Sequence, residues 1–128
     1  TILNNITLFK DNYSTAKIDQ VIKEASLDKY INNLNEGLNT NIYQLALNLS
    51  SGEKQRLGLA RVFLKDAGLI ILDEATSNID AINEALILKA LLNKKQDHAI
   101  IIISHRTSTL SICDKIYKLE NKKLVQTK

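Results

Sequence analysis

The sequence predicts an α/β fold, with helices over residues 1–66 and a mostly parallel sheet with flanking helices over 67–128. Three observations lead there. Leu69-Ile70-Ile71-Leu72 and Ala99-Ile100-Ile101-Ile102-Ile103 are unbroken apolar runs, the pattern of strands buried on both faces of a parallel sheet. Between them, residues 81–93 carry Ile82, Ala85, Leu86 and Leu88-Lys89-Ala90-Leu91 behind Asp80, which reads as a helix and makes a right-handed strand–helix–strand unit. Before residue 66 the apolar positions recur at helical spacing instead.

Along the chain, Ile18, Val21, Ile22 and Ala25 give the first helical stripe, over 17–26. Ser26 or Asp28 is placed to cap a second, short helix carrying Leu27, Tyr30, Ile31 and Leu34. The asparagine-rich stretch 35–48, with Gly37, reads as loop. A third helix starts near Ser51 and runs to about Lys65, with Leu57, Ala60, Arg61 and Leu64 on one side, and Lys65-Asp66-Ala67-Gly68 stops it. After the strand–helix–strand unit, 116–119 and 123–126 read as two shorter strands joined by a turn near Asn121. There is no proline and no internal repeat, so no rigid linker divides the chain.

Composition narrows the function classes. The 128 residues suffice for one compact domain, and 45% hydrophobic with 24% charged residues is the balance of a globular protein. A net charge of +3, with the C-terminal lysines scattered, does not argue for nucleic acid. The single Cys113 forms no internal disulfide, which fits a reducing compartment. The apolar run 99–103 is far short of the roughly 20 residues of a membrane-spanning helix, so membrane contact is expected through a partner. No signal peptide is visible. The chain has no methionine, and none of its four glycines lies in a G-x-x-x-x-G-K-[ST] phosphate loop, which suggests a piece of something longer.

Three constellations can carry chemistry. Asp73-Glu74 closes an apolar strand at the carboxyl edge, where open α/β sheets bind ligands. Adjacent carboxylates there can divide the work, Asp73 toward a magnesium ion and Glu74 toward a water. Taken alone, such a pair more often simply ends a strand at solvent. Leu49-Ser50-Ser51-Gly52-Glu53 contains a capping box, Ser50 with Glu53, and a helix start of this kind also admits a phosphate closely. Glu53 counts against an anion there unless its carboxylate is turned away. His105 directly follows the second strand, where it can hydrogen-bond a phosphate oxygen and hold Glu74, although a lone histidine is more often structural. His98 has no such context.

Taken in order, these segments resemble the ATP-binding domain of ABC transporters, over nearly the whole chain. Leu49-Ser50-Ser51-Gly52-Glu53-Lys54-Gln55-Arg56 resembles the L-S-G-G-Q-x-Q-R signature, and Leu69-Ile70-Ile71-Leu72-Asp73-Glu74 resembles the Walker B strand with its catalytic glutamate. Ala75-Thr76-Ser77-Asn78-Ile79-Asp80 resembles the A-T-S-A-L-D stretch of the D-loop, Ser104-His105-Arg106 the switch histidine, and Asp114-Lys115-Ile116 the D-x-I beyond it. Thr1-Ile2-Leu3-Asn4-Asn5-Ile6 is similar to the G-T-I-x-x-N-I segment that follows the Q-loop of exporters.

The resemblance implies a partial P-loop NTPase fold, with a signature-bearing helical subdomain portion over 1–66 and the C-terminal part of the ATPase core over 67–128. It implies ATP and Mg2+ as cofactors, with Asp73 holding magnesium through water, Glu74 polarising the attacking water and His105 contacting the γ-phosphate. Ser50, Ser51, Gly52 and Glu53 would meet ATP held by a second nucleotide-binding domain in a head-to-tail dimer, with Ser77 and Asp80 at the seam. The other implied partners are the N-terminal half of the same domain and the transmembrane domains of an exporter, at the cytoplasmic face of the membrane. Ser51 stands where the family pattern has glycine, and Glu53 where it has glutamine. A catalytically degenerate module completing a partner's site is therefore an alternative. A second alternative is a DNA-maintenance ATPase, which Glu53-Lys54 favours but the absence of heptads in 1–48 does not. Without a phosphate loop the chain by itself is expected to be inactive. The resemblance also places a strand from outside this chain between 100–103 and 116–119. The chain alone should then carry a gap in its sheet, with unpaired backbone groups costing about 1–3 kcal/mol each if buried.

Overall fold

A computed structural model describes residues 1–77 and 79–128. Six α-helices and four strands follow in the order α1 Ile2–Thr7, α2 Thr15–Glu24, α3 Asp28–Asn32, α4 Ser51–Lys65, β1 Leu69–Asp73, α5 Ala81–Lys94, β2 Ala99–Ile103, α6 Thr107–Leu110, β3 Tyr117–Glu120 and β4 Lys123–Gln126 among the described residues. Two short 3-10 turns, Gly37–Asn39 and Gln44–Ala46, interrupt the asparagine-rich loop.

Local chemistry explains most boundaries. The Ser50 hydroxyl accepts from the Glu53 amide at 3.2 Å, and Glu53 Oε2 accepts from the Ser50 amide at 2.7 Å, completing the capping box that starts α4. Asp66, not Gly68, takes the left-handed conformation (φ 53°) that ends this helix. Ser14 caps α2, which begins before residue 17, and its hydroxyl accepts from the Lys17 amide. Neither Ser26 nor Asp28 caps α3. Its first turn has no side-chain cap, and Ser26 sits at φ 56° in the link between the helices. The β3–β4 hairpin turns through Asn121 and Lys122, both left-handed, as a tight two-residue hairpin turn requires.

β1 and β2 pair in parallel, Leu69 with Ala99 through Asp73 with Ile103. β3 and β4 form a separate antiparallel sheet, so no backbone ladder joins β2 to β3 among the described residues. The expectation of strands buried on both faces fails. Ile70 and Leu72 face the core, whereas Leu69, Ile71, Ile101 and Ile103 point outward, Ile71 being 61% and Ile103 53% exposed. Helices cover one face of this two-stranded sheet only, and period-two alternation leaves every second apolar side chain on the open one.

The core is continuous from α1 to α5. Ile2 and Ile6 of α1, Val21 and Ile22 of α2, and Leu57, Ala60, Phe63 and Leu64 of α4 join Ile70, Leu72, Ile87 and Leu91 in one buried cluster. Arg61 ties α4 to α1 by donating to the Asn5 carbonyl at 2.7 Å. On α5 the buried stripe is Glu84, Ile87, Ala90, Leu91 and Lys94, while Ile82 is exposed. His98 joins the ends of two helices, with one ring nitrogen 3.2 Å from the Lys94 carbonyl and the other 3.2 Å from Asp66 Oδ1.

Candidate functional site

The parallel register builds the first half of the site. Because Asp73 lies opposite Ile103, the residues just beyond each strand emerge side by side at the carboxyl edge of the sheet. The Glu74 amide donates to the Ile103 carbonyl at 2.9 Å, extending the ladder by one bond before the chain turns away. Glu74 itself has φ 50°, a left-handed conformation that costs a non-glycine residue about 1–2 kcal/mol. The turn aims its carboxylate at the other strand's exit. His105 Nδ1 donates to Glu74 Oε1 at 3.1 Å. Glu74 Oε2 is shielded from solvent and has no hydrogen-bond partner among the described residues. Asp73 lies on the open face of the sheet, its side chain exposed.

The loop after β1 is held from several sides. Ser77 donates through its hydroxyl (2.7 Å) and its amide (2.9 Å) to the Glu74 carbonyl. Asp80 caps α5, its Oδ1 accepting from the amides of Ile82 and Asn83 at 3.0 Å each. Those donors, Asn83 first, hold the Asp80 carboxyl below the usual carboxylate range. Asn78, one position of this stretch, lies outside the described residues.

The α4 tip packs beside this loop. Gln55 Nε2 donates to the Ser77 carbonyl at 3.2 Å, and Arg56, buried near Asn83, donates to the Asn83 side-chain oxygen. Burial lowers the pKa of the Arg56 guanidinium. Gly52 is pressed against the Asn83 side chain so closely that a Cβ there would lie 2.5 Å from Asn83 Cγ. Asn83 Nδ2 in turn donates to Asp80 Oδ2 at 2.5 Å. Glu53 is turned back into the capping box, so its carboxylate is occupied at the helix start.

The candidate residues therefore fall into two groups linked by residues 74–80. Glu74 and His105 meet directly, with Ser77 bracing the turn. Gly52 and Asp80 meet through Asn83. Among the described residues no hydrogen bond joins Ser50 or Ser51 to Glu74 or His105. No group of three or more His, Cys, Asp or Glu side chains is arranged to hold a metal among the described residues, and Asp73 stands as a single exposed carboxylate. Pattern reading missed a third set, Arg106, Glu84, Ser108, Thr109 and the Thr76 hydroxyl, which interlock behind the loop. The one available signal was Arg106 beside His105.

The ABC transporter family model matches residues 1–77. A Haemophilus influenzae protein named as an ABC transporter ATP-binding/permease protein is 48% identical over 121 residues, covering 94% of this chain and 22% of the relative. A Staphylococcus aureus protein named as a multidrug export ATP-binding/permease protein is 38% identical over 127 residues, covering 99% of this chain and 22% of its own length. Among solved structures, that of a bacterial Atm1-family ABC exporter with ATP bound superposes with a TM-score of 0.87 at 34% identity, over 98% of this chain and 22% of the exporter chain. The chain thus spans about a fifth of the length of the curated relatives it matches. With its α/β architecture and motif order, this chain belongs to the ABC transporter family.

Proposed function

We propose that this chain is part of the ATP-hydrolysing motor domain of an ABC membrane exporter, working at the cytoplasmic face of the membrane beside transmembrane domains and a second nucleotide-binding domain. The observation that carries the reading is the Glu74–His105 pair, set at 3.1 Å on the carboxyl edge of parallel strands by a strained turn at Glu74. Strain of this kind persists only where the surroundings enforce it, and it gathers at functional sites.

The residues suit magnesium-ATP. Glu74 Oε2 has no hydrogen-bond partner among the described residues; it is closed to solvent as the chain stands, so accepting from an attacking water requires the carboxylate to turn outward. Asp73 is a single exposed carboxylate, which suits a cation that keeps most of its water and shares its remaining ligands with phosphate. Magnesium-ATP supplies the electrophilic γ-phosphate and an ADP leaving group. Glu74 orients the attacking water and takes up the proton it sheds as the new phosphorus–oxygen bond forms and the bond to the ADP oxygen breaks. His105 keeps the Glu74 carboxylate in place through Nδ1–H. The α4 tip at Ser50, Ser51 and Gly52 would face ATP bound to the opposite domain, with Ser77 and Asp80 near the seam. Glu53 is held in the capping box on the Ser50 amide, so its carboxylate does not reach out past the tip, although its charge stays at the helix start. The relatives' names favour an exporter over a DNA-maintenance ATPase. Ser51 and Glu53, the two departures from the signature, are the residues that favour a degenerate site.

In the full-length transporter, Glu74→Gln should bind ATP and retain it while steady-state hydrolysis falls by a factor of about 10³, some 4 kcal/mol of transition-state stabilisation. Phosphate release measured beside retention of radiolabelled nucleotide tests this. A Glu74→Gln protein hydrolysing at the wild-type rate would remove Glu74 from the chemistry.

A further inference from the structure

Arg106 and Glu84 form the most thoroughly bonded polar group among the described residues, and the hydrolysis reading uses neither. Arg106 Nη1 donates to the Thr76 carbonyl at 2.7 Å and to the Ile79 carbonyl at 3.3 Å, clasping the loop between Glu74 and Asp80. Its Nη2 lies 2.7 Å from Glu84 Oε2 on α5. The other Glu84 oxygen accepts from the Ser108 hydroxyl at 2.7 Å and from the Thr109 hydroxyl at 3.1 Å. The Thr109 hydroxyl also lies 2.8 Å from that of Thr76, closing the circuit back to the loop. Glu84 is 5%, Thr76 2% and Thr109 1% exposed, so water has little access to the inner side of this group, while the Arg106 side chain keeps 28% exposure.

Buried ion pairs contribute little net stability, and well-packed apolar replacements often match or exceed them. What a planar guanidinium adds is direction, since its fork of donors reaches two carbonyls and a carboxylate at fixed angles. Here that fork belongs to the residue next to His105. The same backbone segment thus delivers the imidazole to Glu74 and the guanidinium to the loop that turns Glu74 toward it. The strained φ at Glu74 needs such external support.

Resting on the hydrolysis reading above, we propose that Arg106, oriented by Glu84, is a positioning residue that fixes the 74–80 loop, setting Glu74 against His105 at one end and Asp80 at the other. Neither touches nucleotide. Their loss changes turnover with little effect on ATP affinity.

The test uses the full-length transporter, with Glu74→Gln prepared in parallel. Arg106→Lys keeps the charge and loses the fork. The double variant Arg106→Met with Glu84→Met removes both charges and leaves neither unpaired. Both should fold, with kcat at least tenfold lower and KM for ATP within about twofold, given that an ångström of misplacement costs on the order of 10²-fold. Wild-type kcat in either folded variant overturns the proposal. Should neither fold, Ser108→Ala removes one outer contact to Glu84, and kcat must then fall at least about twofold with KM unchanged; an unaltered kcat overturns the proposal. Full activity in Glu74→Gln would instead overturn the hydrolysis reading, so the two failures are distinct.

Discussion

Gly52 lies in the segment resembling a phosphate-contacting signature, yet the structure gives it a second duty that can be tested without nucleotide. A Cβ added at Gly52 would sit 2.5 Å from Asn83 Cγ, 2.7 Å from Oδ1 and 2.8 Å from Nδ2. Normally the end of an asparagine side chain would swing aside. Here it is held, accepting from Arg56 and donating to Asp80. Moving it loses the hydrogen bond to the buried Arg56 guanidinium, worth about 1.5–3 kcal/mol, and one to the exposed Asp80 carboxylate that solvent largely replaces. Overpacking adds about 1–3 kcal/mol, and alanine returns at most about 1 kcal/mol of helix propensity, less in a first turn. The expected net destabilisation for Gly52→Ala is about 2–3 kcal/mol. Gly58, in the same helix with open space around its Cα, is the internal control, and Gly58→Ala should stabilise by about 0.5–1 kcal/mol. Urea unfolding followed by far-ultraviolet circular dichroism gives both values at equal slope. Adding Asn83→Ala to Gly52→Ala should recover part of the loss, because the clash disappears with its partner. If Gly52→Ala were as stable as Gly58→Ala, the packing account of Gly52 would be wrong, and phosphate approach would be left as the reason for a glycine there.

Two further outcomes follow from the electrostatics and the sheet. The Asp80 carboxyl is held below its usual range mainly by the Asn83 amide, so in acid the unfolded chain binds the proton first. Its contribution to stability is present above the unfolded carboxyl value of about 4 and is lost as pH falls through the lower folded one; Asp80→Asn should flatten the acid limb of a plot of melting temperature against pH, and an unchanged limb would exclude the cap as its source. The open face of β1–β2 exposes Leu69, Ile71, Ile101 and Ile103 together, so the chain studied alone should bind a hydrophobic dye or self-associate, and Ile71→Lys with Ile103→Thr should suppress both. Light scattering that found the unmodified chain monodisperse and dye-free would contradict this.

Local signals made much of the fold legible. The α4 start needed only Ser50 and Glu53, whose reciprocal bonds close within one turn. The strand–helix–strand unit needed only two β-branched runs and a helical stretch between them. Elements depending on distant contacts were not readable. α1 is six residues long and draws its order from Ile2 and Ile6 in the core, from Arg61 on α4, and from the Ile2 amide donating to Thr40. α3 lacks the side-chain cap that Ser26 or Asp28 suggested, because the chain reverses through a left-handed Ser26 and uses backbone bonds instead.

The Glu74–His105 contact was legible for a related reason. Two parallel strands in register must deliver the residues after them to one edge, so the sequence distance of 31 between them collapses once the pairing is known. No such rule leads to Arg106 and Glu84. Hydrophobic periodicity puts Ile82 on the core face of α5 and Glu84 toward solvent, and both are reversed. The charge that decides the rotation of α5 comes from outside the helix. Arg106, Ser108 and Thr109 satisfy Glu84 at one end, and Glu24, 2.8 Å from Lys94, satisfies the other. A carboxylate with three partners loses little by burial, whereas an isoleucine at the first turn gains nothing if no surface meets it. Burial on this helix is therefore set by what waits opposite, and that is fixed only when the switch segment folds back over the loop after β1.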